Sequence, residues 1–158
     1  MALYLGNQKV APTMLPQGGV SIPLEVSSNG ELRKPTSSFT WSLPSSVTDL
    51  GQYAMSSAFY SCTGLTSVDL SSLTTVSGSY AMQYAFQYSS LTSLSFPALT
   101  STSFGSYTNQ FNSMLYGVTG CTVHFPSNLQ SVIGSWSSVT SGFGGTNTTV
   151  LFDLPATT

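Results

Sequence analysis

A segment of this chain repeats itself, and the repeat limits the fold more than any single residue does. Tyr53-Ala54-Met55 returns as Tyr80-Ala81-Met82, and Ala58-Phe59 as Ala85-Phe86, both at a step of 27 residues. Leu65-Thr66-Ser67-Val68 returns as Leu91-Thr92-Ser93-Leu94 at a step of 26, because the Cys62-Thr63-Gly64 turn is one residue longer than Ser89-Ser90. A period in the twenties points to a solenoid, in which each unit buries its apolar positions by stacking on its neighbours. Phe59, Leu70, Phe86 and Leu94 occupy recurring apolar positions and are expected to face inward.

Three regions follow from the repeat. Residues 1–36 lack it and hold an alternating run, Val20-Ser21-Ile22-Pro23-Leu24-Glu25-Val26, that reads as one edge strand. They are expected to form a small N-terminal β module that caps the repeats or attaches the chain. Residues 37–120 carry the repeats: a partial unit from Phe39, two clear units, and a degenerate third in which Tyr107 keeps the step of 27. Residues 121–158 read as a C-terminal cap. Thr122 to Phe125 is a short strand, Ser127 is placed to cap a helix running to Trp136, and Thr148 to Leu154 is a last strand. Leu129, Val132, Ile133 and Trp136 share one face of that helix.

Charge excludes several functions. Charged residues are 5% of the chain, against roughly 25% in an average globular protein. The formal net charge is −2 with no basic run, so nucleic acid is not an expected partner. No apolar run approaches the roughly 18 residues of a membrane helix, and Met1 to Lys9 does not read as a secretory signal. A membrane partner is not expected. Synthesis in a cytoplasm without a signal peptide is.

Little in the sequence reads as catalytic, and no catalytic, cofactor or metal residues are expected. His124 is the only histidine, and alternation with Val123 and Phe125 turns it outward. A nucleophile needs a base that is itself oriented by a third group, and no motif supplies one. Asp49, Asp69 and Asp153 are isolated carboxylates, whereas glycoside hydrolysis uses a pair. Cys62 and Cys121 read as small buried thiols, with a disulfide between them as the alternative. Asn147-Thr148-Thr149 has the form of a glycosylation acceptor, set aside because no secretion is expected. The remaining candidates are surface residues: Tyr60, Tyr84 and Tyr88, which do not recur at one repeat position, and the outward Asp69. Tyrosine among Ser, Thr and Gln makes good contact surface, being rigid and amphipathic.

Ala58-Phe59, Ser61-Cys62, Leu65-Thr66-Ser67-Val68-Asp69-Leu70 and Leu73-Thr74-Thr75-Val76, with the second copy from Ala85-Phe86 to Leu99, resemble a BspA-like leucine-rich repeat. The resemblance covers residues 39–154. It implies a mainly β protein: a short leucine-rich-repeat solenoid with a small N-terminal β module and a C-terminal helix-plus-strand cap. Thr102 stands where the family carries an aliphatic residue, and the third unit lacks Ala-Phe.

The whole arrangement looks like leucine-rich-repeat proteins of phages of gut bacteria. That resemblance implies a non-enzymatic virion surface component, a tail fibre or capsid decoration, contacting a host-surface glycan or protein. Residues 1–36 would then bind other virion proteins or assemble a homo-oligomer, a trimer in a fibre. The alternative is a bacterial cell-surface adhesin or protein-interaction module.

Overall fold

The computed structural model describes residues 13–14, 21–22, 25–26, 29, 32–100, 108–133 and 142–158. Readings that rest on Thr102, Tyr107 or Trp136, and most of those on residues 1–36, lie outside the described residues.

Among the described residues nine short strands occur in chain order. β1 (Thr13–Met14) pairs antiparallel with β2 (Ser21–Ile22), and β3 (Glu25–Val26) pairs antiparallel with β4 (Leu32–Arg33). The expected single strand from Val20 to Val26 is thus divided between two pairings, on either side of Pro23, which has no N–H for a ladder. β5 (Phe39–Ser42) pairs parallel with β6 (Leu65–Asp69), placing Trp41 beside Val68 and Ser42 beside Asp69. β7 (Ser93–Ser95), β8 (Thr122–Pro126) and β9 (Thr149–Leu154) form a three-stranded parallel sheet in that order. A 3-10 turn, Ser127–Leu129, leads into α1 (Gln130–Ile133). Ser127 is the first residue of the turn and not its cap: Pro126 occupies the position ahead of it, with no side-chain hydrogen bond. Leu129 and Ile133 are buried as expected, and Val132 is half-buried.

Between the strands the chain runs as ribbons of overlapping turns, at 51–62, 78–89 and 110–118. In the first, every second N–H closes a turn on its own ribbon: Ala54 to Gly51, Ser56 to Tyr53, Ala58 to Met55, Tyr60 to Ser57 and Cys62 to Phe59. The intervening N–H groups donate to the next ribbon: Tyr53 to Ser79, Met55 to Ala81, Ser57 to Gln83, Phe59 to Ala85 and Ser61 to Gln87. The second ribbon repeats the pattern onto the third, with Met82 donating to Gln110, Tyr84 to Asn112, Phe86 to Met114 and Tyr88 to Tyr116. This arrangement satisfies the backbone without a helix. It does so by holding every fourth residue in the left-handed region. Tyr53, Ser57 and Ser61, then Tyr80, Tyr84 and Tyr88, have φ between +54° and +57°. Side-chain hydroxyls add ties between neighbouring segments: Ser72 donates to the Val47 carbonyl, Thr74 to Thr48 and Ser90 to Thr63. Short hydroxyl side chains reach these carbonyls, which gives a local reason for a chain so rich in Ser and Thr and so poor in charge.

One apolar core runs through the strands and ribbons. Phe59, Leu70, Phe86 and Leu94 are buried in it. Phe59 lies between Trp41 (ring centroids 4.9 Å) and Phe86 (5.6 Å). Phe96 and Phe125 stack at 4.9 Å, and Phe111 meets both.

The sheets correct the expected fold class, a leucine-rich-repeat solenoid with a small N-terminal β module and a helix-plus-strand cap. Five short strands form two small parallel sheets beside one short helix, and no continuous or closed sheet forms among the described residues. The break falls between β6 and β7. They are neighbours in space, yet β6 ladders only with β5, and β7 only with β8. The turn before β7 is one residue shorter than the turn before β6, and β7 keeps only three residues. Backbone groups that are out of register cannot extend a ladder.

Candidate functional site

Each ribbon carries an exposed tyrosine near its end. Ala58-Phe59, Ala85-Phe86 and Met114-Leu115 turn into the core, and Tyr60, Tyr88 and Tyr116 follow them on the outside. Their exposures are 43%, 43% and 48%. Tyr60 and Tyr88 meet edge to face with centroids 5.8 Å apart, and Tyr88 and Tyr116 likewise at 5.7 Å, both at 84°. The three rings form a row crossing all three ribbons.

The backbone fixes the row. Tyr88 N–H donates to the Tyr116 carbonyl at 3.0 Å. Gly117, at φ +74°, lies under the Tyr88 ring, where a β-carbon would fall 2.2 Å from Cδ1. The Tyr88 phenol is pushed above its ordinary pKa by desolvation, then by the neighbouring Tyr116 and Tyr60 hydroxyls and a hydrogen bond with Tyr116. At neutral pH Tyr88 therefore presents a neutral hydroxyl that can donate and accept. Lys34 closes one end: its Nζ lies 5.4 Å from the Tyr60 ring centroid and donates to the Tyr60 carbonyl.

The other sequence candidates fall elsewhere. Tyr84 is half-buried in the middle of the second ribbon and makes no ring contact with the row. Tyr53 and Tyr80 form a separate stacked pair at 5.4 Å and 5°. Asp69 is exposed at the end of β6, where its carboxylate accepts the Ser71 N–H at 2.9 Å. That bond, reinforced by the Ser71 side chain, holds its pKa below the ordinary value. Asp69 is thus a turn-forming residue and does not join the tyrosines. Asp49 likewise accepts from the Ser77 N–H and hydroxyl, at 3.0 and 2.6 Å.

Sequence reasoning missed two groupings. Tyr116 joins the row because ring neighbours lie 28 residues apart, not 26 or 27, and the equal spacing of Tyr60, Tyr88 and Tyr116 was the available signal. His124 Nδ1 pairs with both Asp153 oxygens, at 2.9 and 3.0 Å, across β8 and β9. A carboxylate so placed orients an imidazole. Ser95 neighbours His124 in the β7–β8 register, but no hydrogen bond joins Ser95 to the ring. Cys62 and Cys121 are free and buried, which settles the alternatives in favour of thiols. Burial pushes the Cys121 thiol up to about 11. Among the described residues no three His, Cys, Asp or Glu side chains converge as a metal site would require, and no helix is long and apolar enough to cross a membrane.

No family model, curated protein or solved structure matches this chain.

Proposed function

We propose that this chain is a non-enzymatic binding protein that meets a host-surface glycan on the row formed by Tyr60, Tyr88 and Tyr116. The observation that carries this reading is the row itself: three large rings, Tyr88 touching both of the others, each more than two-fifths exposed. Leaving such rings in water forgoes burial that a ligand would recover. Sugars offer apolar C–H faces to aromatic rings and hydroxyls to phenols, which suits an uncharged tyrosine surface. The row is short, so affinity would come from many copies acting together. Copies arrayed on a virion surface, as a fibre or capsid decoration, would supply them, and that is the setting we propose.

The test is a glycan array probed with a multimerised form of the full chain, beside Tyr88→Ala. Tyr88 is exposed, so its truncation leaves the core intact. Binding by the wild type and loss in the variant is the expected result. No binding by either, or equal binding by both, would remove the row as the contact surface. Mass spectrometry of purified phage particles from the source checks the setting, where absence of the chain would overturn it.

A further inference from the structure

We infer that the glycan bound by the row carries a negative charge, a carboxylate or sulfate on the sugar that lies at the Tyr60 end against Lys34. This rests on the reading of the row as a glycan-binding surface. The chain has only three Lys and Arg residues in all, so a cation at one end of its aromatic row gives that end a distinct chemistry. The Lys34 ammonium lies over the Tyr60 ring, and one of its three N–H donors goes to the Tyr60 carbonyl. No carboxylate among the described residues pairs with it. Among the described residues the remaining donors have no acceptor.

The ammonium is also partly desolvated. Burial lowers the Lys34 pKa, with the neighbouring Cys62 acting in the opposite direction. A cation that has lost part of its water, and has no counter-ion among the described residues, favours an anion. The Tyr60 ring and carbonyl hold the Lys34 ammonium beside the row, so the charge is positioned before any ligand arrives. The other tyrosines of the row carry no cation beside them among the described residues. The charged sugar would therefore sit at Tyr60, and neutral sugars toward Tyr116.

The experiment uses the full chain, multimerised, on an array pairing acidic glycans with their carboxyl-reduced or desulfated counterparts. Wild type, Lys34→Met and Tyr88→Ala are compared, the methionine keeping an apolar stem while removing the charge. Wild type should prefer the charged member of a pair by roughly three- to tenfold, the range for a charge-assisted contact that is partly screened. Added salt should weaken the preference. Lys34→Met should abolish it while neutral glycans still bind. Carboxyl reduction and desulfation show which anion is read. A preference that is absent, or that survives Lys34→Met, overturns this inference alone, provided binding still depends on Tyr88. Absence of all binding, or binding indifferent to Tyr88→Ala, overturns the glycan reading and this inference with it.

Discussion

Gly117→Ala tests the seat of the row. Two costs should add. The first is the backbone: Gly117 has φ +74°, where an L side chain costs about 1–2 kcal/mol, partly offset by the smaller unfolded-state entropy of alanine. The second is the ring. The new β-carbon would lie 2.2 and 2.3 Å from Cδ1 and Cε1 of Tyr88, so the ring must swing away. Doing so breaks two edge-to-face contacts, worth about 1 kcal/mol together for rings this exposed. The sum is about 2 kcal/mol. Gly120 supplies the control, because it has φ +72° and nothing within 4 Å of its β-carbon position. Gly120→Ala should therefore lose only the backbone term, about 1 kcal/mol. Urea denaturation of both variants measures the difference. In a Tyr88→Ala background the excess cost at Gly117 should vanish. Equal losses at Gly117 and Gly120, or an excess that persists without the Tyr88 ring, would refute the placement of the ring on Gly117.

Other perturbations reach the rest of the structure. Phe86→Ala removes a fully buried ring stacked on Phe59 and should cost about 3–5 kcal/mol in urea denaturation. Gly78→Ala should cost about 3 kcal/mol or more by the same measurement, because its β-carbon would fall 2.0 Å from backbone atoms of Gly51 and Gln52, which cannot swing aside. Ser57→Gly should raise the melting temperature, by relieving a left-handed residue at a net gain of up to about 1 kcal/mol, whereas Ser56→Gly should lower it. The Cys121 thiol is raised from 9.0 to about 11, so the folded state keeps its proton longer than the unfolded state. Stability should then fall as pH rises above 9, by about 1 kcal/mol at pH 10, and this part of the fall should be missing in Cys121→Ala.

Much of the core was legible in the sequence. Phe59, Leu70, Phe86 and Leu94 recur at the period, and burial is a property that recurrence of apolar residues reports directly. The continuity of the sheet was not legible. It depends on matching backbone groups to within one residue, and the one-residue difference between the turns before β6 and β7 looked like a minor detail of alignment. The ribbons were also hidden. Apart from Gly117, their left-handed residues are Tyr and Ser, where glycine or asparagine would have signalled such a backbone. Tyr60 and Tyr88 are both exposed, but in the sequence they stand as unrelated residues. Tyr60 follows Phe59 directly, whereas Tyr88 stands two residues beyond Phe86. Aligning the repeats on phenylalanine separates two rings that touch in space. His124 and Asp153 meet only through the β8–β9 pairing, 29 residues apart in a region with no clear repeat.

The most direct measurement is an NMR titration of full-length protein, labelled at its tyrosine rings, with the glycan selected by the array. The ring signals of Tyr60, Tyr88 and Tyr116 should move together on one binding curve, while Tyr53 and Tyr80 stay in place. Movement confined to Tyr53 and Tyr80, or a saturable titration that leaves all three rings of the row unmoved, would contradict the row as the contact surface.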